Sequence, residues 1–322
     1  MNILIYSLLE ILGVFLFSLE GVFVKGIEMH PIINVFFTYL VYALLSFSIL
    51  AVTGKMNIDL GKKLLDSKFI LVNVLNIIKT AGLYIGYKYL PISFAIVLKM
   101  MSPAFIIFGD AILNNTKINL IEGIGIGLTL FFIIMIYRKE LYNAIKQLNP
   151  LFIIGVIGLL LFNIFNAFIV IKLPEYIKDS NPNEEIFLST TFAFGLLSLL
   201  LIGLLLFGIN LFKRYKTTSM LKMILLFCFT CYGGMGLIFL SDNNLNPILF
   251  SLLQYSQLIL AFIFGYFLEG EQFSISKIVI ILLLIGSIIL TNIYSNNKNI
   301  KKKNKRIISN MTIHPYSEKS IE

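Results

Sequence analysis

The sequence predicts an all-α integral membrane protein with ten transmembrane helices arranged as two inverted five-helix repeats. Three observations carry this. Mean hydropathy is +0.89, with 58% hydrophobic and 13% charged residues, too apolar to cover a soluble surface. Apolar runs of about 20 residues, the length a bilayer demands, recur along the chain. One stretch also appears twice. Pro91, Phe94 and Gly109 meet Pro247, Phe250 and Gly265 at one constant offset, as expected of a membrane chain built from two related halves.

The expected spans are Ile3–Val24, Pro31–Thr53, Lys68–Tyr87, Pro91–Leu113 and Ile118–Tyr137. They continue as Pro150–Ile171, Ile186–Leu211, Met220–Leu240, Leu245–Leu268 and Phe273–Tyr294. The first also repeats in the sixth, where Gly13 meets Gly158 and Phe17 meets Phe162. The organisation is therefore a first repeat over 1–137, a connecting loop over 138–149, a second repeat over 150–294 and a basic tail over 295–322. An odd number of spans per half inverts the second half in the membrane. The basic run Lys298–Arg306 follows the last span and favours both termini in the cytoplasm, the basic loop Lys213–Lys222 notwithstanding. A bacterial cytoplasmic membrane is the expected location.

Several functions are excluded or disfavoured by composition. The net charge of +9 belongs largely to the tail and reads as a lipid-facing anchor, not a nucleic-acid surface. No Walker A sequence, metal-ligand spacing or buried Ser/His dyad occurs, so neither ATP hydrolysis nor enzymatic chemistry is expected, and no cofactor. Cys228 and Cys231 have redox spacing but lie in an apolar helix without a charged neighbour, a poor setting for a reactive thiol. The glycines at 123, 125 and 127 read as sites of close helix packing.

Function is expected where the membrane makes residues expensive. Lys79, Lys99, Glu10 and Glu20 lie within spans, and each uncompensated charge at mid-bilayer costs ~2.5–3.5 kcal/mol. They must face protein, water or one another. The third span carries Asn73, Asn76, Thr80, Tyr84 and Tyr87 on one stripe, flanked by Lys79. In the fourth, Lys99, Ser102 and Asp110 fall on one side, and Pro103 loosens the helix near Lys99. In the ninth, Ser251, Gln254 and Tyr255 face together, with Gln257 at their edge. The expected substrate-binding set is Lys79, Lys99, Asn76, Tyr84, Ser102, Gln254, Tyr255 and Gln257. Lys79 and Lys99 would hold a carboxylate or phosphate. Glu20 and Glu10 are the expected ion-coupling residues. The plainer alternative is that these charges form fixed structural pairs. Asp110, Glu122 and Glu269 lie near span ends and can snorkel.

Some stretches resemble the EamA-type carriers of the drug/metabolite transporter superfamily. They are Leu90-Pro91-x-Ser-x-Ala95 leading to Ser102-Pro103, and Tyr255-x-Gln257-Leu258 leading to Gly265-Tyr266 and Glu271. Phe17-Ser18 followed by Val24-Lys25 resembles the family's opening helix. Two places depart from the family pattern. Thr38 follows Phe36-Phe37 where many members carry Arg, and Asn114-Asn115 stands where a Glu commonly ends the fourth-helix region. The resemblance implies a central cavity and secondary transport of a small metabolite, with amino acids, S-adenosylmethionine-like compounds and related zwitterions or anions first. The expected partners are this solute, the lipid bilayer and a coupling proton or cation, with a homodimer left open. A lipid- or prenyl-modifying membrane enzyme and a non-transporting scaffold are the alternatives.

Overall fold

The computed structural model describes residues 3–27, 29–53, 66–146, 149–176, 182–209, 233–242, 253–272 and 274–287, and its regular structure is helical throughout. The helices are α1 (Ile3–Gly26), α2 (Pro31–Thr53), α3 (Ser67–Tyr89), α4 (Ile92–Lys99), α5 (Ser102–Asn114) and α6 (Leu120–Lys146). They continue as α7 (Pro150–Tyr176), α8 (Pro182–Leu206), α9 (Gly233–Asp242), α10 (Ser256–Glu269) and α11 (Ile275–Ser287). Seven spans among the described residues are long and apolar enough to cross a bilayer, with α4 and α5 together forming one of them. The protein is a multi-pass integral membrane protein. The eighth to tenth expected spans lie partly outside the described residues, as do Cys228, Cys231, Ser251 and the tail.

The fourth span breaks at Met100–Met101, close to where its proline led one to expect. Pro103 has no N–H to offer the carbonyl one turn back. The Met101 and Ala104 amides instead turn to carbonyls three residues earlier, at Leu98 and Met101. The break re-aims the chain: Lys99 and Ser102 were expected on one side, yet they meet different neighbours. The fifth span runs beyond its expected end. Tyr137 leaves helical geometry (φ −106°, ψ 17°), and the helix then continues to Lys146, through most of the expected loop over 138–149. The sixth reaches Tyr176, past its expected end at Ile171.

Glycines decide the closest helix crossings. α3 crosses α7 antiparallel, with Gly82 against Gly158; a Cβ on Gly82 would lie 2.4 Å from the Gly158 carbonyl oxygen. α1 crosses α9 with Gly13 against Gly234; a Cβ on Gly234 would lie 2.9 Å from the Gly13 carbonyl oxygen. Without a side chain, two backbones approach closely and gain dispersion contact that lipid cannot match. The expectation for Gly123 and Gly127 is corrected. Both are exposed, and nothing among the described residues lies within 4 Å of a Cβ there. Helices α2 and α8 pack through aromatic rings, including Phe36 on Phe194 at 5.1 Å. The core cluster joins Val24, Tyr84, Tyr87, Phe94, Leu159 and Leu258 across five helices.

Gly82→Ala should therefore lower the thermal midpoint in detergent, since overpacking a close crossing costs ~1–3 kcal/mol. Gly127→Ala should hold or raise it, because Ala favours helix over Gly by about 1 kcal/mol. Equal melting of the two variants would contradict the assignment.

Candidate functional site

The break in the fourth span is built by residues from three helices. Asn163 of α7 bridges its two sides. Its Nδ2 donates to the Leu98 carbonyl at 2.8 Å, and its Oδ1 accepts from the Ser102 hydroxyl at 2.7 Å. Asn166 adds a longer donation to Ser102 Oγ at 3.4 Å. In a bilayer a broken helix survives only where side chains replace its lost bonds, and Asn163 is 1% exposed. Ser102 thus faces α7, not the Lys99 amine. Sequence reasoning missed Asn163. The available signal was an Asn in the middle of an apolar span, with Asn166 one turn on.

Lys99 ends α4 and is 8% exposed. Its ammonium sits 4.1 Å from the centre of the Phe17 ring of α1 and 5.9 Å from that of Tyr87 of α3. A desolvated cation over an aromatic face gains about 2 kcal/mol. That offsets most of the ~2.5–3.5 kcal/mol that a charge costs at mid-bilayer. Gly21 makes room for Tyr87: a Cβ there would meet the ring at 3.1 Å. Lys79 of α3 is half-buried and lies within electrostatic reach of both Lys99, which repels it, and Glu20, which attracts it. Glu20 is buried on α1. The structure thus gathers Lys79, Lys99 and Glu20.

Other expected residues are differently employed. Glu10 is buried on α1, and its Oε1 accepts from Gln254 Nε2 at 2.5 Å. This contact, two residues before α10, and the Lys25–Glu269 ion pair at its end tie that segment to α1. Tyr84 is fully buried, and its hydroxyl shares a 3.0 Å bond with Thr38 of α2. One turn away, Thr80 shares a bond with Tyr39. The polar stripe of the third span therefore serves in part to join α3 to α2. The Asn76 carbonyl accepts from the Thr80 hydroxyl, and the Asn76 side chain is half-buried. Tyr255 and Gln257 are buried where α10 begins.

The acids at span ends do more than reach towards solvent. Asp110 accepts from Asn114 and Thr116, closing the end of α5. Glu122 caps α6 by accepting the Asn119 amide at 2.8 Å. Glu269 accepts the Ile92 amide at 3.0 Å while paired with Lys25.

An integral membrane bundle with a broken helix around a buried amine is the class this arrangement defines. Residues 4–138 match the EamA-like transporter family, which belongs to the drug/metabolite transporter superfamily and whose members are transporters. No curated protein sequence matches the chain. A crystal structure of another protein aligns over 91% of this chain and 98% of its own, with a TM-score of 0.58 and 11% identity. That likeness concerns the fold.

Asn163→Ala should cost ~1–3 kcal/mol, since it strands the buried Leu98 carbonyl and removes the acceptor of the half-buried Ser102 hydroxyl. Ser102→Ala should cost less, because Asn163 still holds Leu98. Thermal unfolding measures both, and wild-type melting of Asn163→Ala would contradict the bridging role.

Proposed function

We propose that the protein is a secondary carrier that moves a small polar metabolite across the membrane by alternating access, holding it beside the break between α4 and α5. The observation that carries this reading is Lys99. It is a buried amine at a helix break, framed by Phe17 and Tyr87, with Lys79 and Glu20 in electrostatic reach. Intramembrane charge of this kind, facing the bundle interior, is what a solute pathway uses. Two bases beside an acid suit a carboxylate that also carries an amino group. Amino acids and related zwitterions or anions, including S-adenosylmethionine-like compounds, are accordingly the first candidates. Tyr255, Gln254 and Gln257 would orient the remainder, and Glu20 or Glu10 would carry a coupling proton or cation.

Helix pairing supports two inverted five-helix repeats over 1–137 and 150–294. The crossing of the third span on the sixth has its counterpart in the crossing of the eighth on the first, with a glycine pair at each. The fourth and sixth spans run parallel through Ser102–Asn163 and Gly109–Ile171. The ninth and first do so through Gln254–Glu10 and Glu269–Lys25. Both α5 and α10 end on a left-handed residue, Asn115 and Gly270. An inverted pair of this kind is the architecture on which rocking-type carriers are built. We place the protein in a bacterial cytoplasmic membrane with both termini in the cytoplasm.

In proteoliposomes supplied with a labelled metabolite pool, the protein should show saturable uptake. Lys99→Ala should abolish it while inserting normally into membranes. Normal uptake by that variant would remove Lys99 from the site.

A further inference from the structure

The end of the bundle away from the break carries a second cluster of charges. Helix α4 begins there, and its N-terminus is an anion-attracting end with unsatisfied amides. Two acids from the end of α10 occupy it. Glu269 accepts the Ile92 amide at 3.0 Å. Glu271 accepts the Ser93 amide at 3.4 Å and also the Ser93 hydroxyl. The Tyr137 hydroxyl of α6 donates in turn to Ser93 Oγ at 2.8 Å. Gly265 leaves the space: a Cβ there would meet the Glu271 carboxyl at 2.8 Å.

Adjacent amides draw the two carboxyls together, and Glu269 acts on Glu271 both as a like charge and as a hydrogen-bond partner. The cations around them are committed. Lys25 of α1 pairs with Glu269 and donates to the Leu90 carbonyl. Lys277 of α11 pairs with Glu140 of α6 at 3.2 Å. Lys88 of α3 donates to the Lys25 and Ile27 carbonyls. No ion pair to Glu271 is seen among the described residues. Two carboxylates held on adjacent amides with one cation beside them are costly when both are ionised, and a proton on Glu271 removes the cost.

We propose that Glu271 holds a proton while this latch between α4 and α10 is closed and releases it when the two helices part, making this end a proton-linked gate. In the closed state the Glu271 O–H donates to the Glu269 carboxylate. On opening, that O–H bond breaks and the proton passes to water. A cavity of about 90 Å³, lined by Pro91, Tyr137, Glu140, Glu271, Gln272 and Lys277, gives water a route to the pair. The sequence restricts the device to one end. At the repeat offset Ser93 meets Leu249, Glu269 meets Leu113 and Glu271 meets Asn115.

The sign follows from burial. Desolvation raises the Glu271 carboxyl above its ordinary value, as does Glu269, while the Ser93 bonds oppose the rise. Opening would return it towards the ordinary range, so protonation favours the closed latch. Removing the Ser93 hydroxyl should raise the closed-state value further.

Two readouts test this on the full-length protein, with Cys228 and Cys231 replaced by Ser. A cysteine at Ala95, which is fully buried on α4, reports opening through an impermeant maleimide, normalised at each pH to a small thiol. The infrared C=O band of a protonated carboxyl reports the proton. Labelling should fall as pH falls. Glu271→Gln should label at a constant low level and lack the titrating band. Ser93→Ala should move both midpoints to higher pH, a shift that a merely structural contact would not produce. A pH-independent wild type, a titrating band retained in Glu271→Gln, or an unmoved midpoint in Ser93→Ala would overturn the proposal. The gate serves the alternating-access reading. Neither readout uses a solute, so their failure is separate from failure of transport.

Discussion

Within a bilayer every peptide group must find its partner inside the protein, because lipid offers none. Much of the arrangement around the centre of this bundle follows from meeting that demand at one place, the break between α4 and α5. Pro103 prevents a continuous helix. The chain turns at Met100–Met101, and α7 supplies the missing bonds through Asn163. With α7 fixed at that point, its crossing on α3 follows, and there Gly82 and Gly158 allow backbone contact. Helix α3 in turn brings Tyr87 to Lys99 and carries Lys79. The break therefore does more than bend a helix. It separates the direction of Lys99, towards the aromatic faces of α1 and α3, from that of Ser102, towards α7.

The two ends of α4 divide the work. Its C-terminal end presents the Lys99 amine to the aromatic faces of Phe17 and Tyr87, where a cation is tolerated. Its N-terminal end is held by two carboxyls that reach across from α10. A short rigid helix with a charge-sensitive contact at each end can transmit movement between them, because close-packed helices shift as units.

The legible part of the fold was what local chemistry determines. Apolar length located the seven described spans, and Pro103 located the break. Lys99, Lys79 and Glu20 were conspicuous because an ionised side chain in an apolar run demands explanation. What escaped depended on partners distant in sequence. Gly82 and Gly127 look alike in the chain; only the approach of Gly158 distinguishes them. Phe17 stood out only for the repeat and the family resemblance, and its ring's place over Lys99 came from the fold. Tyr84 belonged to a convincing polar stripe, yet its hydroxyl meets Thr38, the residue standing where a family arginine is common. Glu269 looked free to reach solvent, and its role appeared only when the Ile92 amide arrived beside it.

The central claim is that the amine of Lys99 faces a pathway reachable in turn from both sides of the membrane. The direct measurement is labelling of Lys99→Cys by an impermeant thiol reagent applied to one face or the other of oriented vesicles, with Cys228 and Cys231 replaced by Ser. The account predicts modification from each face. Modification from one face alone, or from neither, would contradict it and leave the buried charges as structural pairs.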